Sequence, residues 1–277
     1  MNILVFGKKG FLASKLKKKF KEKKITAKFV GSKDINLTNK NSAIKLKRYK
    51  KKYNIIFLSA LTPDKGKDEK TFIKNISMIT NLFQYMPIKN IEHFLYISSD
   101  AVFNLNKKKI NNKTSPSPAD LYGLMHLSRE NLCRFKIKNI NLTILRPTIV
   151  YGEGDTHNSY GPNRFINQLN NNQNIKIFGK GLDVRDHLYV DDLIQVILNS
   201  ILNKITGTYN IASGNSYKFI DVVKKITKIS KKKINLEYVE VKNKPTKRYF
   251  DIKDTTKKFK LKFTNLNLGL MKSLKKL

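Results

Sequence analysis

The chain has 277 residues, 40% hydrophobic and 27% charged, enough for one large domain or two intimate ones and outside the disordered and membrane-embedded classes. Its formal net charge is +36, yet 49 of the 56 basic residues are lysines spread along the whole length, in runs such as Lys17-Lys18-Lys19 and Lys231-Lys232-Lys233, and only 7 are arginines. Proteins that read bases and phosphates favour the planar fork of arginine, so the charge reads as a compositional bias on solvated faces and implies no specific nucleic-acid partner.

From the N-terminus, apolar runs at Ile3–Phe6, Ala27–Val30, Ile55–Leu58, Phe94–Ser98 and Leu142–Leu145 alternate with helical patterns at Phe11–Phe20, Glu69–Tyr85 and Ala119–Phe135. Runs as continuously apolar as Ile3-Leu4-Val5-Phe6 belong to strands buried on both faces. Their alternation with helices predicts an α/β fold, a doubly wound parallel sheet of the Rossmann kind. After Arg146-Pro147, glycines and prolines crowd at Gly152, Gly154, Gly161, Pro162, Gly179 and Gly181 and open a smaller C-terminal α/β region. Here the expected elements are a helix near Arg164–Asn170, a strand near Ile175–Phe178, a helix over Asp191–Leu202 that packs back on the sheet, and a helix over Ile220–Ile229. The expected division is a first domain over residues 1–150, with 183–205 packing back on it, and a second region over 151–182 and 206–277.

Three stretches carry chemistry. Gly7-Lys8-Lys9-Gly10-Phe11-Leu12-Ala13 joins the first strand to the first helix, where glycines let a pyrophosphate approach the helix N-terminus. The second strand ends in Val30-Gly31-Ser32-Lys33, without the acid that would bond the ribose 2′-hydroxyl of NAD; Ser32 and Lys33 suit a 2′-phosphate, and the reading leans to NADP. Ser98-Ser99-Asp100 closes the fourth strand, and Tyr122 precedes His126 by one helical turn. A serine and a tyrosine hydroxyl meeting at a sugar carbinol form a proton-transfer pair for hydride exchange with a nicotinamide.

The remaining features bound the reading. A lone cysteine, Cys133, excludes an internal disulfide framework and suits the cytoplasm, and no His or Cys spacing fits a metal site, so none is expected. No apolar run approaches the ~20 residues of a membrane span, and the run over residues 2–6 is too short for a signal peptide. His93 is expected to be solvated just ahead of its strand and His187 to pack, while His157 lies in a glycine-rich loop as either a substrate-capping or a surface residue.

In order along the chain, Gly7-x-x-Gly10-x-x-Ala13, Ser98-Ser99-Asp100-Ala101-Val102-Phe103, Tyr122-Gly123, Arg146-Pro147-Thr148-Ile149-Val150-Tyr151-Gly152, Arg185-Asp186-His187-x-Tyr189-Val190-Asp191-Asp192 and Tyr209-Asn210-Ile211-Ala212-Ser213-Gly214 resemble the extended short-chain dehydrogenase/reductases. These are nucleotide-sugar epimerases, dehydratases and reductases, several of them in cell-surface polysaccharide biosynthesis. The resemblance runs from Met1 to about Gly269 and implies an NAD(P)-binding first domain and a substrate-binding second region. It places Gly7, Gly10, Phe11, Leu12, Ser32, Lys33, Asn36, Leu37, Ser59, Ala60, Leu61 and Pro147 at the cofactor. It makes Ser99, Tyr122 and His126 catalytic, and Asp100, Tyr151, Asn163 and Arg185 substrate-binding, with Arg185 clamping a sugar-nucleotide diphosphate. Asn75 and Asn81 match the family's N-x(5)-N-L helix, with a structural role equally open, and a homodimer through helices 69–85 and 119–135 is implied.

Two positions depart from the family. The usual Tyr-x-x-x-Lys has His126 in place of lysine, and an imidazole with an ordinary pKa of ~6.5 gives the tyrosine less electrostatic help unless it is protonated in the complex. Ala101 stands where the 4,6-dehydratases carry glutamate, which disfavours dehydration. The sequence reading is therefore a 4-epimerase or 4-keto-sugar reductase. A non-catalytic NAD(P)-binding protein and a reductase of some other carbonyl compound are the alternatives.

Overall fold

A computed structural model describes residues 1–61, 68–104, 109–155 and 161–274. The chain forms two compact units, one of residues 1–104, 115–146 and 194–209, the other of residues 105–114, 147–193 and 210–277.

The first unit is built from β1 (Ile3–Phe6), α1 (Phe11–Glu22), β2 (Ala27–Val30), α2 (Lys40–Ala43), β3 (Tyr53–Phe57), α3 (Glu69–Tyr85), β4 (Ile91–Ile97), α4 (Leu121–Lys136) and β5 (Asn141–Pro147). The second follows with β6 (Ile149–Tyr151), α5 (Gly161–Asn170), β7 (Ile175–Phe178) and β8 (Val184–Tyr189). Then α6 (Val190–Leu202) and β9 (Gly207–Ile211) carry the chain through the first unit again, and β10 (Ser216–Lys218), α7 (Phe219–Ser230), β11 (Leu236–Val239), α8 (Lys253–Phe259) and α9 (Leu266–Leu274) complete the second.

The central sheet is six-stranded in the order β2-β1-β3-β4-β5-β9, with parallel pairing from β2 through β5. Every residue of β1 is buried, as its unbroken apolar sequence requires of a strand covered on both faces. Leu4, Phe6, Ile55, Phe57, Phe94 and Ile144 from the strands pack with Ile79 and Leu82 of α3 into one core. Strand order reverses between β1 and β3, and in open α/β sheets ligands bind outside the carboxyl ends of strands at such a switch point. Asn81 is a structural residue: it is buried and donates to the Leu37 carbonyl at 2.8 Å.

His93 corrects an expectation. β4 begins at Ile91, so His93 lies inside the sheet, opposite Asn54 on β3 and Asn141 on β5, with none of its surface exposed. Its Nε2 is 2.7 Å from Thr143 Oγ1, and that hydroxyl is bonded onward to the Ile205 carbonyl. Burial pushes the His93 imidazole down to about 4.

The second unit holds a three-stranded sheet, β10-β8-β6, and a two-stranded one, β11-β7. α5 packs on α7 through an edge contact of Phe165 with Phe219. His187 packs as expected, 1% exposed and edge-on to Phe219, whereas His157 lies outside the described residues. Among the described residues no helix is long and apolar enough to cross a membrane, and no group of three or more His, Cys, Asp or Glu is arranged to hold a metal ion.

Candidate active site

The Gly7 turn, Ser32 and Lys33, the segment 59–61 and Ser99 follow the carboxyl ends of β1, β2, β3 and β4. The chain leaves β1 at Gly7, with φ of +117°, and enters α1 at Gly10, with φ of +111°, a backbone region that L side chains avoid. A β-carbon at Gly7 would stand 3.0 Å from Leu58 Cβ and 3.4 Å from the Ser59 nitrogen, so this glycine is required by the packing of β1 on β3. At Gly10 a β-carbon would meet nothing within 4 Å. That open space lies at the N-terminus of α1, which has neither a side-chain cap nor an acid in its first turn. Uncapped N–H groups at the positive end of a helix fit a pyrophosphate, and Lys17 steadies the turn by donating to the Lys8 carbonyl at 2.8 Å.

Gly7→Val is expected to lower the melting temperature and to abolish the stabilisation that NADH or NADPH gives the parent, because the positive φ and the Leu58 contact both oppose the side chain. Thermal unfolding with and without dinucleotide checks this; a parental upshift in the variant would move the cofactor away from the turn.

Ser32 and Lys33 at the end of β2 are exposed. Beside them the structure brings an acid that the strand pattern did not show. The turn folds Asp34 back so that its carboxylate accepts the Gly31 N–H at 2.9 Å and pairs with Lys8 Nζ at 3.2 Å. The Gly31 bond, helped by Lys8, lowers the Asp34 pKa. Asn36 braces the next turn by accepting from Thr38 N and Oγ1, and the Leu37 side chain belongs to the core. Phe11 is buried and Leu12 half-buried at the start of α1; Ser59, Ala60 and Leu61 follow β3, and Pro147 closes β5.

Ser99 and Tyr122 are set by a compact piece of architecture. Ser99 follows β4 and caps a short 3-10 turn, its Oγ accepting the Ala101 N–H at 3.1 Å, with Asp100 next to it at half exposure. α4 begins behind the Asp120 cap, whose carboxylate accepts the Gly123 N–H at 2.8 Å. A β-carbon at Gly123 would lie 2.1 Å from the Ala101 carbonyl oxygen, so only glycine lets the helix start rest on the Ser99 turn. Tyr122, half-buried, thus enters α4 directly above that turn.

Deeper in α4, Glu130 is fully buried and accepts from Ser98 Oγ at 2.6 Å, from Arg146 Nε at 2.8 Å and Nη2 at 2.6 Å, and from Arg134 at 3.0 Å. This single carboxylate binds α4 to the ends of β4 and β5 and fixes the Ser99 and Tyr122 backbones with respect to each other. Breaking such a buried ion pair costs about 3–5 kcal/mol, because the remaining charges are left without a counterion.

His126 does not take the lysine's role as a cation. It is 3% exposed, its Nδ1 lies 2.7 Å from Tyr96 Oη, and its ring meets that of Tyr122 edge-on at 4.7 Å between centroids. Burial, reinforced by the neighbouring Arg129, pushes its pKa down to about 3. The protonated form entertained from the sequence is thereby disfavoured: an imidazolium would have no water and a second cation beside it.

In the second unit the expected substrate residues are engaged locally. The Arg185 side chain, 15% exposed, donates to the Thr246 carbonyl at 3.0 Å and to Thr246 Oγ1 at 2.6 Å, with Asp183 at 3.6 Å. Tyr151 is fully buried, its hydroxyl reaching the Leu266 carbonyl at 3.4 Å; Asn163 accepts from Gly152 N and donates to Asp155 at 2.6 Å. Tyr151 and Asn163 therefore brace their own unit, and Arg185 holds the segment around Thr246. Asp186, also buried, accepts from Thr148 Oγ1 and from Ser213 N and Oγ, and burial raises its pKa to about 6 despite those bonds.

A sequence profile of the NAD dependent epimerase/dehydratase family matches residues 3–212. The chain belongs to this family. Among curated relatives it is 32% identical over 159 residues to the dTDP-D-glucose 4,6-dehydratase of Dictyostelium discoideum, covering 50% of this chain and 36% of that one. It is 29% identical over 184 residues to a Bacillus subtilis protein described as the uncharacterized UDP-glucose epimerase YtcB, covering 64% and 58%. The chain thus matches between about a third and three-fifths of these relatives' length. Among solved structures, a UDP-glucose 4-epimerase of Thermotoga maritima with UDP-glucose shares 21% identity over 99% of this chain and 98% of its own, with a TM-score of 0.86. RMD of Pseudomonas aeruginosa with NADPH shares 19% over 99% and 97%, also at 0.86. These likenesses confirm the Rossmann fold expected from the strand–helix alternation.

Proposed function

We propose that this family member is an NAD(P)-dependent enzyme that modifies a nucleotide sugar by hydride transfer at a ring carbon, as a 4-epimerase or a 4-keto-sugar reductase. The observation that carries the reading is the fixed relation of Ser99 and Tyr122, held by Gly123 and Glu130 in the same unit as the Gly7 turn. The bound dinucleotide supplies the hydride acceptor or donor. Gly7, Gly10 and the first turn of α1 hold its pyrophosphate, and Ser59, Ala60 and Leu61 line its place at the end of β3. Ser99 orients the sugar oxygen, and Tyr122 exchanges the proton at that oxygen. Ala101 offers no acid or base for removing water, which separates the proposed reaction from that of the dehydratases among the relatives. Arg185 is read as the diphosphate ligand, exchanging its bonds to Thr246 for phosphate oxygens.

At the end of β2, Lys8 and the exposed Lys33 suit a 2′-phosphate, so NADP is the preferred form although Asp34 pairs with Lys8 there. A second reading, a non-catalytic dinucleotide-binding protein, is favoured by one observation, the neutral His126 in the lysine's place.

The experiment offers UDP-, GDP-, CDP- and dTDP-linked sugars and their 4-keto forms to the protein with each dinucleotide, following nicotinamide absorbance and sugar NMR. Turnover of one nucleotide sugar and tighter binding of NADPH than NADH are expected. Dinucleotide binding without any turnover would leave the non-catalytic reading, and tighter NADH binding would remove the NADP preference.

A further inference from the structure

The lysines that the sequence spreads along its length are gathered by the fold. Strands β2, β1, β3, β4 and β5 lie side by side and parallel, so the segments that enter them share one edge of the sheet and those that leave them share the other. The entering segments are residues 23–26, 49–52, 86–90 and 137–140, and residues 203–206 precede β9 at the end of the row. Together they hold eight lysines and no acid: positions 23–24 and 50–52, with Lys89, Lys138 and Lys204. All eight are exposed. Of the acids next to these segments, Glu22 pairs with Lys19 at 3.1 Å, and Glu92 of β4 pairs with Lys204 at 2.6 Å, which places Lys204 at the same edge.

The opposite edge is different. The described residues that leave β1 to β4, namely 7–10, 31–39, 58–61 with Asp68, and 98–104 with 115–120, hold three lysines and four aspartates. A uniform lysine bias would charge both edges alike. Instead the first unit has one strongly basic edge and a nearly neutral one, where the Gly7 turn and Ser99 lie. Neighbouring strands are about 4.8 Å apart, so lysines entering adjacent strands stand within the ~8 Å Debye length at physiological salt and their fields add.

The basic edge also bears an aromatic ring. Phe135, in the last turn of α4, is 64% exposed, more than any other aromatic side chain among the described residues. The ammonium groups of Lys136 and Lys138 stand 5.6 and 5.4 Å from its ring centre. Lysines near a helix end complement its dipole, but that does not account for a phenyl ring left in water between two of them. A ring flanked by cations suits the boundary between lipid headgroups and acyl chains. None of the eight cations is an arginine, whose fork nucleic-acid phosphates favour, whereas hydrated ammonium groups respond to the field of a charged surface.

We propose that the strand-entry edge of the first unit is a docking face for an anionic lipid bilayer, with the lysine row on the headgroups and Phe135 seated among them. Docked in this way, the Gly7 turn and Ser99, at the far edge of the same sheet, stay turned toward water.

The test is co-sedimentation of the full chain with vesicles of phosphatidylglycerol and phosphatidylcholine in equal parts, beside vesicles of phosphatidylcholine alone. Because the whole chain carries +36, the decisive comparison is between two variants of equal net charge. One combines Lys50→Gln, Lys51→Gln, Lys52→Gln, Lys89→Gln and Lys138→Gln. The other combines Lys224→Gln, Lys228→Gln, Lys231→Gln, Lys232→Gln and Lys233→Gln, all exposed positions of the second unit. The parent is expected to bind the anionic vesicles and not the neutral ones, with an affinity that falls steeply as salt is raised. A lysine at an anionic surface is worth about 5-fold in affinity, so the first variant should lose more than about 100-fold and the second less than about 5-fold, both with the melting temperature of the parent. Phe135→Ser should cost about 10-fold with the salt dependence unchanged. Equal losses in the two lysine variants, a Phe135→Ser that binds vesicles as the parent does, or equal binding to neutral vesicles overturns the proposal. So does a DNA or RNA duplex that the parent binds more tightly than the vesicles and the first variant releases, which assigns the face to nucleic acid.

Discussion

Tyr122→Phe is expected to cost turnover by a factor of roughly 10² to 10⁴, the contribution of a positioned general acid or base, with dinucleotide affinity unchanged. The ring of the variant keeps the edge contact with His126, and the Asp120 cap on the Gly123 N–H is untouched, so the loss isolates the hydroxyl. The same site sets a pH dependence. His126 is neutral and gives the phenol no positive charge, and model tyrosines titrate near ~10. Oxidation of a sugar hydroxyl requires the phenolate and should accelerate toward alkaline pH, whereas reduction uses the protonated phenol and should stay level, an asymmetry that favours the keto-reductase direction. His126→Lys by itself sets a second cation beside Arg129 in a site that is 3% exposed and is expected to destabilise the fold. Combined with Arg129→Leu it leaves one cation, and the alkaline limb should move to lower pH. Parental turnover in Tyr122→Phe would end the mechanism, and an oxidation rate independent of pH would end the charge argument.

Mild acid should destabilise the first unit far more than the second. His93 and His126 there are held neutral by burial, with pKa values of about 4 and about 3. In the unfolded chain a histidine takes up a proton below ~6.5, so the unfolded state binds more protons between pH 6.5 and 4 and stability falls with pH through that window. Each histidine costs about 1.4 kcal/mol per pH unit, so the step from pH 7.5 to 5.5 removes about 3 kcal/mol from this unit. The second unit has His187, also buried neutral at about 3, but Asp186 acts in the opposite sense. Its raised pKa of about 6 makes the folded state the better proton binder between pH 6 and 4, which returns about 1 kcal/mol over the same step. Urea unfolding followed by circular dichroism at the two pH values, with hydrogen exchange to assign the loss, measures the difference. His93→Gln, which retains a group able to bond Thr143, should lose about half as much stability in the first unit on acidification. Equal stability at both pH values would show that the two rings are not buried neutral.

What the sequence by itself determined was the alternation of strands and helices and the chemistry placed at the strand ends. All five first strands lie within about three residues of their apolar runs, because a strand covered on both faces, as β1 is, must be apolar throughout, and the glycine turn and Ser99 follow β1 and β4 directly. Glu130, eight residues beyond Tyr122, was open to the same reasoning, since that spacing returns to the same helix face. Tertiary structure alone decided the charges. Asp34 reaches the end of β2 only because a turn folds it back onto Gly31, and His93 is buried because both its neighbours are strands that lie far off in sequence. Arg129 reads as one more solvated basic residue in a chain with 56 of them, until Ser59 and Asn75 surround its guanidinium. Tyr151 and Asn163 have partners inside their own unit, Leu266, Gly152 and Asp155, that spacing along the chain did not show. Spacing along the chain fixes which residues share a face, but whether a polar group is charged or neutral depends on the water excluded and the partners supplied by segments distant in sequence.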